Sequence, residues 1–286
     1  MTEYRETANL SLGRRNLLKG VVVTAAASAW TTASVSRTAA QPLERATNFD
    51  PSAIKVLLFD VQGTTVDFYA TIVRRGESIT SAHGIQADWT AIVDQWRSEY
   101  RRRLDQVIAG TSPWRSTDRI FRESLDALLE SHDWGQKLDS DERDKLTAVW
   151  SQLEPWPDSV PGLERLSKKY TLSTLSNGSM ASVVSIAKLG RLPFDCILTA
   201  ELVQSSKPDP KVYALAQNAF AVRPDQILMV ACHKYDLKAA KALGFRVAFV
   251  PRPLEFGPRG KVDLAPESYF DLMPKDFIDL ADQMGA

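Results

Sequence analysis

Four short segments of the chain carry reactive side chains, three of them at the ends of largely apolar stretches. Leu57-Leu58-Phe59-Asp60-Val61-Gln62-Gly63-Thr64 supplies a carboxylate, and Leu175-Ser176-Asn177-Gly178 a hydroxyl and an amide. Lys207-Pro208-Asp209-Pro210 adds a lysine, and Val230-Ala231-Cys232-His233-Lys234-Tyr235-Asp236 a thiol, an imidazole and a second acid. A carboxylate is ionised near neutral pH, and when hydroxyl donors such as Thr64 and Ser176 hold it, it can attack a saturated carbon or a phosphorus. Asp60 is therefore a candidate nucleophile. Alone it could as well cap the turn after a strand, and Lys207 alone would read as an exposed loop lysine. Their occurrence together favours chemistry.

Such chemistry needs a frame that brings the segments together. Ile54 to Phe59, apolar except for Lys55, reads as a strand buried on both faces of a parallel sheet, with Asp60 at its carboxyl end. From about Phe68 to Leu153 the pattern turns helical, in Trp89–Ile108, Asp118–Glu130 and Asp141–Leu153, with Gly110-Thr111-Ser112-Pro113 as an internal turn. Beyond Trp156-Pro157-Asp158, helices over Gly162–Lys169, Met180–Leu189 and Lys211–Phe220 alternate with strands over Tyr170–Leu175, Cys196–Thr199, Gln226–Val230 and Arg246–Val250. The expected fold class is α/β: a doubly wound, parallel, Rossmann-like sheet with an inserted helical cap subdomain. Residues 54–67 and 154–286 would form the core and 68–153 the cap. Ligands of such sheets lie off the carboxyl ends of the strands, where Asp60, Ser176 and Asp236 all fall.

Asp60-x-x-Gly63-Thr64, Ser176-Asn177-Gly178, Lys207-Pro208-Asp209-Pro210 and Asp236, in this order with a helical insert after the first, resemble the motifs of the haloacid dehalogenase superfamily over roughly residues 54 to 285. Within it the chain is most similar to the type II 2-haloacid dehalogenases, through Leu175-Ser176-Asn177-Gly178-Ser179, Lys207 with Tyr213, and Trp96-Arg97 in the insert. The resemblance implies hydrolysis of short 2-haloalkanoic acids to 2-hydroxy acids. Asp60 would displace halide from C2 with inversion, and water would then hydrolyse the aspartyl ester. It further implies that Arg97 and Asn177 receive the halide, that Lys207 orients Asp60, that Asp236, with His233, positions or activates water, and that Tyr213 hydrogen-bonds within the site or packs at its wall.

Two residues separate this reading from the alternative, a magnesium-dependent phosphate-ester hydrolase. Phosphatases of the superfamily carry an acid two residues after the nucleophile to protonate the departing alkoxide; here that residue is Gln62, which cannot serve. A halide leaves without protonation. Many phosphatases also hold magnesium with a second acid four residues before Asp236, where this chain has Cys232, a poor ligand for so hard a cation. No cofactor is expected. Gln62 also stands where dehalogenases commonly have an aromatic, and Ala231 and His233 where they have serine and asparagine. Gln62 could bring an amide to the substrate carboxylate or fasten the loop, and an unperturbed His233 would titrate near neutral pH and could act as a base. Trp114 and Tyr235 are candidates for an apolar wall, His83 and His132 read as surface or helix-end residues, and Cys232 as a small buried side chain.

The 286 residues, 44% hydrophobic and 24% charged, are enough for one sizeable core and a smaller second unit. The formal charge is zero and the body of the chain has no sustained basic block, which argues against nucleic acid as a partner. The first forty residues differ. Arg14-Arg15-Asn16-Leu17-Leu18-Lys19, the mildly apolar Val21 to Trp30 and the small residues ending at Ala40 resemble a twin-arginine signal peptide, implying the export machinery as a partner and a periplasmic or secreted protein. Its removal would take away Arg5, Arg14, Arg15, Lys19, Arg37, Glu3 and Glu6 and leave a net charge of −3. Two cysteines, Cys196 and Cys232, imply no disulfide framework. The resemblance also implies a homodimer.

Overall fold

A computed structural model describes residues 49–286; the expected signal peptide lies outside them. Strand β1 (Val56–Phe59) is apolar and buried along its whole length because it is flanked on both sides. Its neighbours are β4 (Thr171–Thr174) and β5 (Ile227–Ala231), and β6 (Arg246–Phe249) completes a four-stranded parallel sheet in the order β4-β1-β5-β6. The register sets Phe59 opposite both Thr174 and Val230. The residues that follow, Asp60, Leu175-Ser176 and Ala231-Cys232-His233, therefore emerge at one edge of the sheet. This is how positions far apart in sequence come together.

After Asp60 the chain turns through Gly63, whose φ of +88° suits glycine, into β2 (Val66–Asp67). Then come α1 (Phe68–Ala82), α2 (Trp89–Ile108), α3 (Thr117–Glu130) and α4 (Ser140–Ala148), before β3 (Glu154–Pro155). β2 and β3 pair antiparallel, so the chain leaves and re-enters the sheet layer side by side. Side-chain caps start these helices: Asp67, Asp88 and Ser116 accept first-turn amides, and Asp139 with Glu142 forms a capping box. Their apolar faces bury Trp89, Trp96, Phe121 and Trp150, with Phe121 stacked on Trp150 at 3.9 Å and Trp96 donating Nε1–H to the Phe121 carbonyl at 2.8 Å. Burying Trp96 on one side of α2 turns its neighbour Arg97 toward the sheet edge.

The remaining helices cover the sheet: α5 (Ser159–Leu166), α6 (Met180–Leu189), α7 (Pro210–Phe220), α8 (Lys234–Ala242) and α9 (Phe277–Met284). The expected α/β class with a parallel sheet and helices is observed. Three details differ from the sequence expectations. The strand predicted over Cys196–Thr199 reduces to two isolated bridges, to Ser173 and Ser176. There side chains take over ladder bonds: Asp195 Oδ2 accepts Leu172 N–H at 2.8 Å, and Thr174 Oγ1 bonds both the N–H and the carbonyl of Leu198. The helix predicted to Leu153 ends at Ala148 and continues as a 3-10 turn, Val149–Ser151. Helices α8 and α9 carry no prediction. His83 ends α1 and pairs with Glu142, and His132 lies just past α3. Cys196 and Cys232 are both free. No described helix is long and apolar enough to cross a membrane.

Candidate active site

Asp60 is held from three directions. Its Oδ1 accepts from Lys207 Nζ at 3.1 Å; its Oδ2 accepts from Thr64 Oγ1 at 2.7 Å and faces His233 Nδ1 at 3.1 Å. Thr64 can donate only toward Asp60 or the nearby Cys232 sulfur, because its hydroxyl oxygen already accepts the Cys232 amide at 3.0 Å. Burial alone would raise the Asp60 pKa, but Lys207 foremost, then His233 and Thr64, hold the carboxyl well below the usual carboxylate range. Ser176, expected as a second hydroxyl donor to Asp60, instead accepts the Gly178 amide at 3.0 Å while still lining the cavity.

Lys207 is buried, 1% exposed, between two acids, with Nζ 2.5 Å from Asp236 Oδ2 as well as 3.1 Å from Asp60. Burial disfavours its ammonium, yet Asp236 and Asp60 more than compensate and raise it above an ordinary lysine. Tyr213 donates to the other Asp236 oxygen at 2.8 Å. Burial pushes Asp236 up despite Lys207, with the like charge of Asp60 adding to it. Neither Asp236 nor Tyr213 is among the cavity-lining residues. Asp236 thus reaches Asp60 through Lys207, and Tyr213 stands behind Asp236.

His233 lies between two carboxylates, Nδ1 toward Asp60 and Nε2 toward Glu255 Oε1 at 2.8 Å. Burial works against its charged form. The neighbouring Cys232 and the Glu255 and Asp60 carboxylates raise its pKa well above the ordinary value. The Cys232 thiol is itself pushed up by burial and stays protonated, so the two carboxylates carry the effect. A carboxylate at each ring nitrogen favours the doubly protonated, donating form of His233, whereas an unperturbed ring would titrate near neutral pH.

Glu255 carries no sequence prediction. It is buried, and its loop is fixed by Arg252, whose Nε donates to the Thr64 carbonyl at 2.8 Å while both terminal nitrogens grip Asp158, at 2.6 and 2.9 Å. The signal that could have found it is its place: an acid a few residues past the end of β6, in the Pro- and Gly-punctuated run Pro251 to Pro258.

The cavity above Asp60 measures about 540 Å³. Gln62, Ser176, Asn177, His233, Tyr235 and Glu255 line its sheet side, and Arg97, Tyr100, Phe121 and Trp150 its helical side. Arg97 lies between two aromatic faces, 4.4 Å from the Phe68 ring centre and 4.3 Å from that of Phe256. No salt bridge among the described residues engages it, so an electropositive, largely desolvated group is left facing the cavity. Asn177 accepts the Lys207 amide through Oδ1 at 2.8 Å, which leaves its NH₂ to donate. Trp114 lines a different cavity, with Ile108, Gln204 and Pro208, and not this one.

The site favours an anion over a divalent cation. Cys232, His233 and Glu255 bring donor atoms within 4.8 Å of one another, but they satisfy each other: Nε2 with Oε1, and Sγ with Oε2 at 3.7 Å. Two cations, Lys207 and His233, already occupy the oxygens of Asp60, where a hydrolase magnesium would sit.

The family description "Hydrolase: haloacid dehalogenase-like hydrolase" matches residues 54–244. Among curated relatives, (S)-2-haloacid dehalogenase 4A of Burkholderia cepacia is 26% identical over 216 residues, 72% of this chain and 89% of that protein. (S)-2-haloacid dehalogenase 1 of a Pseudomonas species is 28% identical over 211 residues, 71% and 88% of the two chains. Among solved structures, an L-2-haloacid dehalogenase superposes with a TM-score of 0.78 at 38% identity, over 81% of this chain and 99% of that one. A defluorinating L-2-haloacid dehalogenase gives 0.78 at 35% identity, over 82% and 96%.

Proposed function

The chain belongs to the haloacid dehalogenase-like hydrolases, and from that premise we propose that it hydrolyses short (S)-2-haloalkanoic acids to 2-hydroxy acids through an ester on Asp60, without a metal. The observation that carries the reading is an ionised, buried Asp60 set across one cavity from a cation, Arg97, that no salt bridge among the described residues engages.

Asp60 Oδ1 has one donor, Lys207, and Oδ2 has two partners. Oδ1 therefore keeps the freer lone pair and attacks C2 from the side opposite the halogen. The halide leaves toward Arg97 and the Asn177 amide, fixed donors that need no reorganisation as charge develops. No acid is required there, consistent with Gln62 at the position where a phosphatase has one. Water then hydrolyses the ester at Cγ. The apolar wall of Phe68, Phe121, Trp150 and Phe256 suits the substrate's alkyl group.

The test is halide release from each enantiomer of 2-chloropropionate without added metal, with Asp60→Asn as control. Release from the S enantiomer by the wild type and none by D60N is the expected result. Phosphate release from a generic ester on adding magnesium, with no halide release, would overturn the reading. We further propose export by the twin-arginine route to the periplasm or beyond, and a homodimer. N-terminal sequencing of the exported protein and light scattering test them.

A further inference from the structure

The mechanism above uses Oδ1 of Asp60 and leaves Oδ2 with its two partners. Once the ester forms, Oδ2 is its carbonyl oxygen, the atom on which negative charge gathers when water adds to Cγ. Thr64 Oγ1 at 2.7 Å and His233 Nδ1 at 3.1 Å already point at it. Behind His233, Glu255 Oε1 sits 2.8 Å from Nε2, buried at 2% exposure and backed by the Arg252 clamp. Gly63 leaves room for it: a Cβ there would lie 2.8 Å from Glu255 Oε1.

We propose that Glu255 is a positioning residue that keeps His233 doubly protonated and aimed at Asp60 Oδ2, and that His233 with Thr64 forms the oxyanion-binding pair for hydrolysis of the aspartyl ester. The proposal rests on the haloacid reading above. The step balances as follows. The water oxygen bonds to Cγ, one water proton passes to solvent, and the carbonyl electron pair moves onto Oδ2, between His233 and Thr64. When that pair returns, the Cγ–Oδ1 bond breaks, and the product alkoxide takes the remaining proton of the added water. Asp60 is again a carboxylate, and one proton and one halide have been released per turnover.

Losing the Asp60 charge in the ester removes one of the two carboxylates that face His233, and Glu255 then becomes the one that keeps the imidazole charged when the charge is needed. The other titratable groups around the ring are Cys232 beside it and Tyr235 of α8, ring centres 5.6 Å apart. Lys207 and Asp236 lie beyond Asp60, and Asp94, Arg97, Tyr100 and Arg101 stand on the helical wall.

The experiment compares wild type, Glu255→Gln and His233→Asn with excess (S)-2-chloropropionate and no added metal. Rapid quench reads the halide burst, the steady state reads turnover, and intact mass reads the ester. Both variants should keep a burst of one halide per site and accumulate ester, with turnover falling about 10²-fold in H233N and about tenfold or more in E255Q. The alkaline limb of wild-type turnover should move to lower pH in E255Q. A retained burst also shows that the variants fold. Unchanged turnover in both variants, loss of the burst in the variants alone, or a wild-type turnover limited on the acid side by His233 overturns the proposal. No halide from the wild type instead overturns the haloacid reading itself.

Discussion

Lys207→Met is the most demanding test of the charge arrangement. The ammonium is 1% exposed and lies 2.5 Å from Asp236 Oδ2 and 3.1 Å from Asp60 Oδ1. Methionine has similar length and fills the space, so the loss is electrostatic and not a cavity. Two carboxylates are then left buried, with Tyr213 on one and Thr64 and His233 on the other. Breaking a buried pair by removing one partner costs about 3–5 kcal/mol. At about 2–4 °C per kcal/mol for a domain of this size, the melting temperature at pH 7 should fall by roughly 6–20 °C. Part of the loss should return in Lys207→Met/Asp236→Asn, which leaves a single carboxylate, with a coupling energy of about 0.5–3 kcal/mol. The halide burst should fall in both, because Asp60 loses the ammonium that orients it and favours its ionised form. The Asn177 contact serves as an internal control, since it uses the Lys207 backbone amide and survives the substitution. Thermal melts and rapid-quench halide assays decide the matter. A melting temperature within 2 °C of wild type, with an intact burst, would refute the reasoning.

Arg97→Lys should lower the rate of the halide-releasing step by about 10²-fold, because an ammonium cannot stack flat between Phe68 and Phe256 and loses the fixed fork of donors; stability should stay near wild type, and burst rates with thermal melts check both. Gly63→Ala should cost about 1–3 kcal/mol, since it places a side chain at φ +88° and pushes on Glu255 Oε1, and it should slow ester hydrolysis more than ester formation. Asp60 has a lowered pKa, so its stabilising contribution is present above the unfolded value of about 3.9 and is lost as pH falls through the folded value. The melting gap between wild type and D60N should therefore be full at pH 6 and close in strong acid, and the halide burst should persist at pH 4.5, as pH-dependent melts and quench assays will read.

Much of the site was legible in the sequence because a parallel strand buried on both faces is a continuous apolar run, and whatever polar residue ends it stands at the ligand edge. Asp60, Ser176 and the Cys232-His233 pair follow from that rule once the register sets Phe59 beside Thr174 and Val230. The helices of the insert were legible from their periodicity and caps. What was missed lies where periodicity is silent. Glu255 and Arg252 sit in an irregular loop, and their importance comes from contacts to Thr64, Asp158 and His233, partners far away in sequence. Asp236, expected from its place past β5 to position or activate water, stands in the first turn of α8, and its bonds to Lys207 and Tyr213 could not be read from periodicity.

The charges around the nucleophile form an ordered series, and the order constrains the chemistry more than any single group does. Asp236, Lys207, Asp60, His233 and Glu255 alternate in sign, each within 3.1 Å of the next, and Arg97 faces the cavity with no salt-bridge partner among the described residues. A divalent cation at Asp60 would set two positive charges against both Lys207 and His233 at close range. An anionic substrate meets the opposite situation: Arg97 attracts the acid, and it faces the departing halide, which carries away the charge that Asp60 gives up on forming the ester. When Asp60 becomes an ester the series breaks at its centre, leaving Lys207 with Asp236 on one side and His233 with Glu255 on the other. Each half is then a neutral pair whose cation faces the ester, one toward Oδ1 and one toward Oδ2. Both steps can therefore be served by the same fixed cations, with the nucleophile alone changing its charge.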